Sequence, residues 1–221
     1  MFPVVEKFVS INGEGMKAGE LAAFIRFRGC NLACTWCDTM WANDQGAPAQ
    51  MMSMEDILTY IEGTGVKNVT LTGGEPLLQE GVQDLLVYLM ASPDLHVEVE
   101  TNGSVSLLPY HNAIFNPPSF TMDWKLPGSG METEMLLENL HILDKKDTLK
   151  FVIGRREDME RALELIRAYD LDAKTNVYLS TVFQDIQPAD IVTFMQEENL
   201  TQVRLQLQMH KYIWSPETKG V

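Results

Sequence analysis

Cysteine is nearly absent from this chain: three residues in 221, all between positions 30 and 37. An odd number cannot all pair within one chain, and disulfide-stapled secreted domains use many more, so an extracellular scaffold is excluded. Basic side chains are scarce as well, seventeen against thirty-one acidic ones, for a net charge of −14. A surface this acidic is repelled by nucleic-acid phosphates and by anionic lipids, so neither nucleic acid nor membrane is expected as a partner. No run approaches the roughly 18 to 20 apolar residues of a membrane span. The opening MFPVVEKFVSINGEG carries acids and glycines where a secretion signal has a basic start and an unbroken apolar stretch, so the cytoplasm is the expected compartment. Internal repeats, low-complexity tracts and Pro/Ser-rich linkers are also missing, so residues 1–221 read as one domain.

What is present is alternation. From residue 20 onward, short β-rich runs alternate with segments of helical period. The strand candidates are 22–27, 68–72, 96–100, 120–124, 148–153, 177–181 and 202–208. Helices are expected over 54–62 behind a Ser53 cap, and over 82–90, 133–143, 156–169 and 188–198. In the 156–169 segment, Met159, Leu163, Ile166 and Tyr169 recur at helical spacing. Residues 43–52 read as a surface loop. Strand, helix, strand repeated this often implies an α/β fold with a mainly parallel sheet and right-handed crossovers. Seven strands are too few for a complete eightfold barrel, so an incomplete TIM-type β/α barrel or a doubly wound sheet is expected.

Parallel α/β sheets gather their chemistry at the carboxyl ends of the strands. Here the first candidate strand is followed by the three cysteines and Asp38, the second by Thr72-Gly73-Gly74-Glu75-Pro76, and the third by Thr101-Asn102-Gly103. The fourth ends in Asp123-Trp124-Lys125, the sixth in Ser180-Thr181, and the last in Gln208-Met209-His210-Lys211. Thiols, acids, amides and lysines at one end of a sheet make an active site's inventory.

Cys30, Cys34 and Cys37 follow a glycine, spaced x3 and x2. Soft thiolates select zinc, copper(I) or iron–sulfur clusters. Structural zinc wants a fourth ligand, and a second cysteine pair is absent, so one of His96, His111, His141 or His210 would have to complete it. An iron–sulfur cluster is usually tied by four cysteines, so three would leave one iron open to a reactant. Three buried free thiols are the third alternative.

The segment GCNLACTWCDT resembles the cysteine motif of the radical S-adenosylmethionine (SAM) superfamily. The resemblance implies that Cys30, Cys34 and Cys37 hold a four-iron, four-sulfur cluster whose open iron chelates SAM. Electron transfer then cleaves SAM to a hydrogen-abstracting radical. The cofactor supplies the hard chemistry and the protein supplies position and exclusion of side reactions. By the same resemblance Trp36, Cys37, Asp38, Gly74 and Glu75 contact SAM. So do Thr101, Asn102, Asp123, Trp124, Lys125 and the run Ser180, Thr181, Val182 and Phe183.

Both ends of the chain narrow the resemblance. Phe8 to Gly15, Phe24 to Cys30, Cys37 to Thr39 and Gln208 to Trp214 together are similar to the 7-carboxy-7-deazaguanine synthases over essentially the whole chain. This implies a carbon–nitrogen lyase of queuosine and 7-deazapurine biosynthesis, which contracts the ring of 6-carboxy-5,6,7,8-tetrahydropterin with loss of ammonia. Ile11, Asn12, Gly13 and Glu14 would hold the pterin edge, where a carboxylate suits the N–H donors of a 2-amino-4-oxo heterocycle. Arg26 would grip the substrate carboxylate as a guanidinium fork, and Thr72 and His210 would also meet substrate. Thr39 would ligate a Mg²⁺ ion, a hard oxygen for a hard cation. An electron donor such as a flavodoxin or ferredoxin, and a homodimer, are also implied. Where the family often has glutamine this chain has Asn12, and where some members read Ser-Pro-Lys it has Asp123-Trp124-Lys125.

A glycyl-radical-enzyme activase, acting on a protein partner, shares the cysteine spacing and the GGEP-like turn. The segments Ile11 to Glu14 and Gln208 to Lys211 favour a small-molecule pocket over it. A non-catalytic metal-binding module would not need polar groups at every strand end.

Overall fold

The structure is a computed structural model and describes residues 1–113, 117–215 and 218–221. Among the described residues nine strands form one sheet: β1 (Phe2–Ile11), β2 (Leu21–Phe27), β3 (Gln50–Met52), β4 (Asn68–Gly73), β5 (His96–Thr101), β6 (Ser119–Trp124), β7 (Thr148–Ile153), β8 (Asn176–Thr181) and β9 (Arg204–Gln206). Their spatial order is β3-β1-β2-β4-β5-β6-β7-β8-β9. From β2 onward every pairing along that order is parallel, and β1 pairs antiparallel with both β2 and β3. The seven parallel strands are those expected from the sequence. The sheet is open, an incomplete barrel.

The helices are α1 (Met40–Asn43), α2 (Met54–Thr64), α3 (Val82–Met90), α4 (Leu108–Ala113), α5 (Asn139–Ile142), α6 (Arg156–Tyr169), α7 (Leu171–Lys174), α8 (Pro188–Glu197) and α9 (His210–Ile213). Ser53 caps α2 through a reciprocal box with Asp56, 3.1 Å from the Asp56 amide to the Ser53 hydroxyl and 2.8 Å from the Ser53 amide to the carboxylate. The long helices bury one face against the sheet: Ile57 and Ile61, Leu85 and Leu89, Met159 and Ile166, Ile191 and Phe194.

Three expectations need correction. Residues 133–143 do not form a continuous helix, only a short 3₁₀ turn (Glu132–Glu134) and the single turn α5. Their polar groups are spent elsewhere. The Leu136 amide donates to the Gly103 carbonyl at 3.2 Å, and the buried Asn139 side chain binds the backbone of Gly103, Val105 and Leu107 at 2.8–3.0 Å. Residues 43–52 are not all loop, because β3 pairs Phe2 with Met52 and Val4 with Gln50. The expected strand 202–208 shrinks to three residues at the sheet's edge.

Strand alternation divides the sheet into two faces. Val69, Leu71, Val97, Val99, Phe120, Met122, Leu149, Phe151, Val177 and Leu179 belong to the apolar core under the helices. Their neighbours Thr72, Glu100, Thr121, Asp123 and Lys150 line a cavity on the concave side. The inside of the half-barrel is therefore polar. The gap beyond β9 is bridged by a side chain: Gln206 accepts from the Gly15 amide at 2.8 Å and donates to the Gly15 carbonyl at 3.3 Å.

Candidate active site

The concave face holds a cavity of about 700 Å³ at the carboxyl ends of the parallel strands, within the size range of small-molecule sites. The cysteine loop forms one wall. Cys30, Cys34 and Cys37 all face the cavity, and Cys30 and Cys37 have N–H donors at sulfur distance. The Leu32 amide is 3.4 Å from Cys30 Sγ, Asn102 Nδ2 is 3.6 Å from the same sulfur, and Asn43 Nδ2 is 3.7 Å from Cys37 Sγ. Burial pushes the Cys30 and Cys34 thiols above their ordinary range, so a metal is needed to hold them as thiolates.

Among the described residues, no three His, Cys, Asp or Glu side chains converge closely enough for one metal ion. Three sulfurs around one cavity, with N–H donors beside two of them, fit an iron–sulfur cluster. None of His96, His111, His141 or His210 completes a zinc site with them.

The Gly73-Gly74 turn holds this wall in place. A Cβ on Gly74 would lie 2.0 Å from the Gly29 carbonyl oxygen and 2.6 Å from Asn43 Oδ1, and Gly73 has φ +150°. The turn is therefore glycine because the cysteine loop's backbone presses against it, with the Gly74 amide donating to Phe27 and the Glu75 amide to Gly29. Glu75 does not line the cavity. Its buried carboxylate accepts from the Leu77 amide, the Thr101 hydroxyl and the Asn102 amide at 2.6–3.0 Å, which orients Asn102 toward Cys30. Burial pushes its pKa up to about 7, against the pull of those bonds.

Ile11, Gly13, Glu14, Arg26, Thr72 and His210 line the same cavity. Gly13 is in close approach to His210, whose Nδ1 would be 2.6 Å from a Cβ there. Burial holds the His210 imidazole below its ordinary value, against the pull of Glu14. Arg26 Nε donates to Glu6 at 3.0 Å. Trp36, Asp38, Thr39, Gly74, Thr101 and Asn102 line the cavity, as do Asp123, Lys125, Val182 and Phe183. Burial opposes the ionised form of Asp123, but Lys125 and Lys150, at 3.1 and 3.3 Å, hold its carboxyl below the usual range. Asp123 Oδ1 has no partner among the described residues, an acceptor that a bound donor would satisfy.

Four expected contacts besides Glu75 lie behind the wall. Trp124 alternates with Asp123 and Lys125 and is packed into the apolar core, 2 % exposed. Thr181 is likewise buried outside the cavity lining. Asn12 is buried, its Oδ1 accepting from the Thr70 hydroxyl at 2.9 Å, so it holds the β1–β2 loop. Ser180 reaches the site only through Glu14 Oε1, at 3.4 Å.

Sequence reasoning passed over Glu6 and Trp41, and the segment Thr218–Val221, all of which line the cavity. Lys219 Nζ sits 4.1 Å from the Trp41 ring centroid. Glu100, also in the lining, had a signal of its own, a charge alternating with valine in β5; Glu6, with Lys7 directly after it in β1, had none.

Half-barrel, three thiols around one cavity and a glycine turn clamped to the cysteine loop define a radical SAM enzyme. The radical SAM superfamily model matches residues 24–111. A 7-carboxy-7-deazaguanine synthase from Clostridium acetobutylicum is 54% identical over 220 residues, covering 100% of this chain and 99% of the relative. One from Leptospira interrogans is 34% identical, covering 99% and 97%. The crystal structure of QueE from Escherichia coli superposes with a TM-score of 0.71 at 25% identity, covering 95% of this chain and 94% of that one. The chain belongs to the 7-carboxy-7-deazaguanine synthase family, and as a radical SAM member it uses a four-iron, four-sulfur cluster and SAM. No helix among the described residues is long and apolar enough to cross a membrane.

Proposed function

We propose that this chain converts 6-carboxy-5,6,7,8-tetrahydropterin to 7-carboxy-7-deazaguanine with loss of ammonia, in queuosine or another 7-deazapurine pathway. The observation that carries it is the presence, within one cavity, of the three-cysteine wall together with Glu14, Arg26, Thr72 and His210. Cluster and SAM together supply hydrogen-atom abstraction from substrate.

The chain's own residues do the rest. Glu14 accepts from the N–H groups of the pterin's amino edge, and the guanidinium of Arg26 takes the carboxylate. Asp123, Lys125 and Asn102 offer a carboxylate, an ammonium and an amide to SAM, beside the cysteines. Thr39, 3.7 Å from Cys37 Sγ, would offer its hydroxyl oxygen to a Mg²⁺ ion, a hard donor for a hard cation. Val182 and Phe183 close the SAM side against water.

The residues 1–221 act as one domain, as a cytoplasmic homodimer, reduced by a flavodoxin or ferredoxin. An activase acting on a protein partner is not favoured by the full-length match to deazaguanine synthases. Anaerobic calorimetry on enzyme with a reconstituted cluster tests the reading: SAM and carboxytetrahydropterin each bind with one-to-one stoichiometry and occupy the site together. Mutual exclusion of the two would contradict it.

A further inference from the structure

Lys150 projects from the middle of β7 into the cavity, in register with Asp123 on β6, and its side chain is only 10 % exposed. Its ammonium is 2.8 Å from Glu14 Oε2 and 3.3 Å from Asp123 Oδ2. No other lysine or arginine among the described residues pairs with Glu14, whereas Asp123 has a second cation, Lys125, at 3.1 Å. Glu14 comes from the β1–β2 loop on the side of Arg26 and His210; Asp123 ends β6 on the side of the cysteines. One ammonium thus joins the two halves of the site.

We propose that Lys150 is a positioning residue shared by both ligands, its ammonium aiming Glu14 at the heterocycle and Asp123 at SAM. The assignment rests on the functional reading above. A buried cation held by two carboxylates fixes their rotamers, because breaking either contact leaves a charge unpaired in a low-dielectric cavity. With Lys150 at Glu14 Oε2 and the Ser180 hydroxyl 3.4 Å from Oε1, the carboxylate has one orientation and keeps Oε1 lone-pair capacity for a ligand donor. Without the ammonium, Glu14 would lose its one ion-pair partner among the described residues while Glu100 and Asp123 stay in the same cavity with it, and like-charge repulsion would swing Glu14 out of line. Lys150 touches neither ligand in this scheme and acts through the two carboxylates.

A double-mutant cycle read by equilibrium binding tests it, on cluster-reconstituted enzyme with SAM and 6-carboxy-5,6,7,8-tetrahydropterin as the probes. Lys150→Met weakens both by about tenfold, and Glu14→Gln weakens the pterin alone. If Lys150 acts on the pterin through Glu14, the double variant binds pterin no more weakly than Glu14→Gln does. Lys150→Arg, which keeps the cation and guards against a Met variant that does not fold, retains both ligands within about threefold. Unchanged affinities in Lys150→Met, additive pterin losses in the double variant, or full loss of both ligands in a folded Lys150→Arg would each overturn the assignment. Failure of the parent enzyme to bind the pterin would instead overturn the functional reading, and the assignment with it.

Discussion

Glu6 and Arg26 face each other across the β1–β2 hairpin as register partners, with 3.0 Å between Glu6 Oε2 and Arg26 Nε and both side chains 16 % exposed. Glu6 consumes the Nε donor and fixes the plane of the guanidinium. Among the described residues no acceptor takes its terminal nitrogens, so the end of the fork is presented to the cavity for a carboxylate. Arg26→Ala is expected to weaken carboxytetrahydropterin binding by about ten- to a hundredfold, the worth of a charge-assisted pair. Reductive SAM cleavage without substrate stays near the parent rate. Binding calorimetry beside a cleavage assay separates the two; loss of both would assign Arg26 to the cofactor side or to folding.

Gly74 tests whether the glycine turn serves the cluster wall. The 2.0 Å separation between a Cβ there and the Gly29 carbonyl oxygen is far inside contact distance, and that oxygen belongs to backbone that cannot rotate aside. Gly74→Ala is expected to displace the loop that carries Cys30 and to lower iron bound after anaerobic reconstitution well below the parent's. Iron analysis reads it. Full iron content with normal cluster absorbance would show that the turn is glycine for another reason.

Glu98 sets a pH dependence outside the cavity lining. It is buried on β5 beside Thr121, whose hydroxyl donates to it, and burial raises its pKa to about 7 from 4.5 in the unfolded chain. A carboxyl whose folded pKa is raised binds its proton more tightly when folded, so stability falls as pH rises from about 4.5 through about 7. The full shift is worth on the order of 3 kcal/mol. Glu98→Gln, which keeps an acceptor for Thr121, is therefore expected to raise the melting temperature of the cluster-free protein at pH 8 and to flatten its decline between pH 5 and 7. Glu75 retains its own contribution to that slope. Parallel melting curves for parent and variant would refute this assignment.

The parallel part of the fold was legible because most of its strands are rich in Val, Ile, Leu, Phe or Thr and bounded by a turn, and its long helices carry period 3.6 or a Ser53-type cap. β1 and β3 were not. β1 carries Glu6 and Lys7 toward half-exposed surroundings and pairs antiparallel, and β3 is three residues whose partner lies some fifty positions away. The cysteine wall, Glu14 and Arg26 could be placed from motif position. What motif position could not supply was the direction of a side chain. Asp123-Trp124-Lys125 reads as one polar segment, yet alternation sends Trp124 into the core while its neighbours face the cavity. Asn12 and Glu75, polar and next to site residues, spend their hydrogen bonds on Thr70, Thr101 and backbone amides. Lys150, in the midst of an apolar strand, looks out of place in sequence and is central in space.

The central claim is a ring contraction performed by this chain with its cluster and SAM. The most direct measurement is anaerobic turnover of cluster-reconstituted, reduced enzyme with SAM, Mg²⁺ and 6-carboxy-5,6,7,8-tetrahydropterin, with products identified by mass. The account predicts 7-carboxy-7-deazaguanine and one ammonia per turnover. An intact, reducible cluster that cleaves SAM but leaves the pterin unchanged would contradict it.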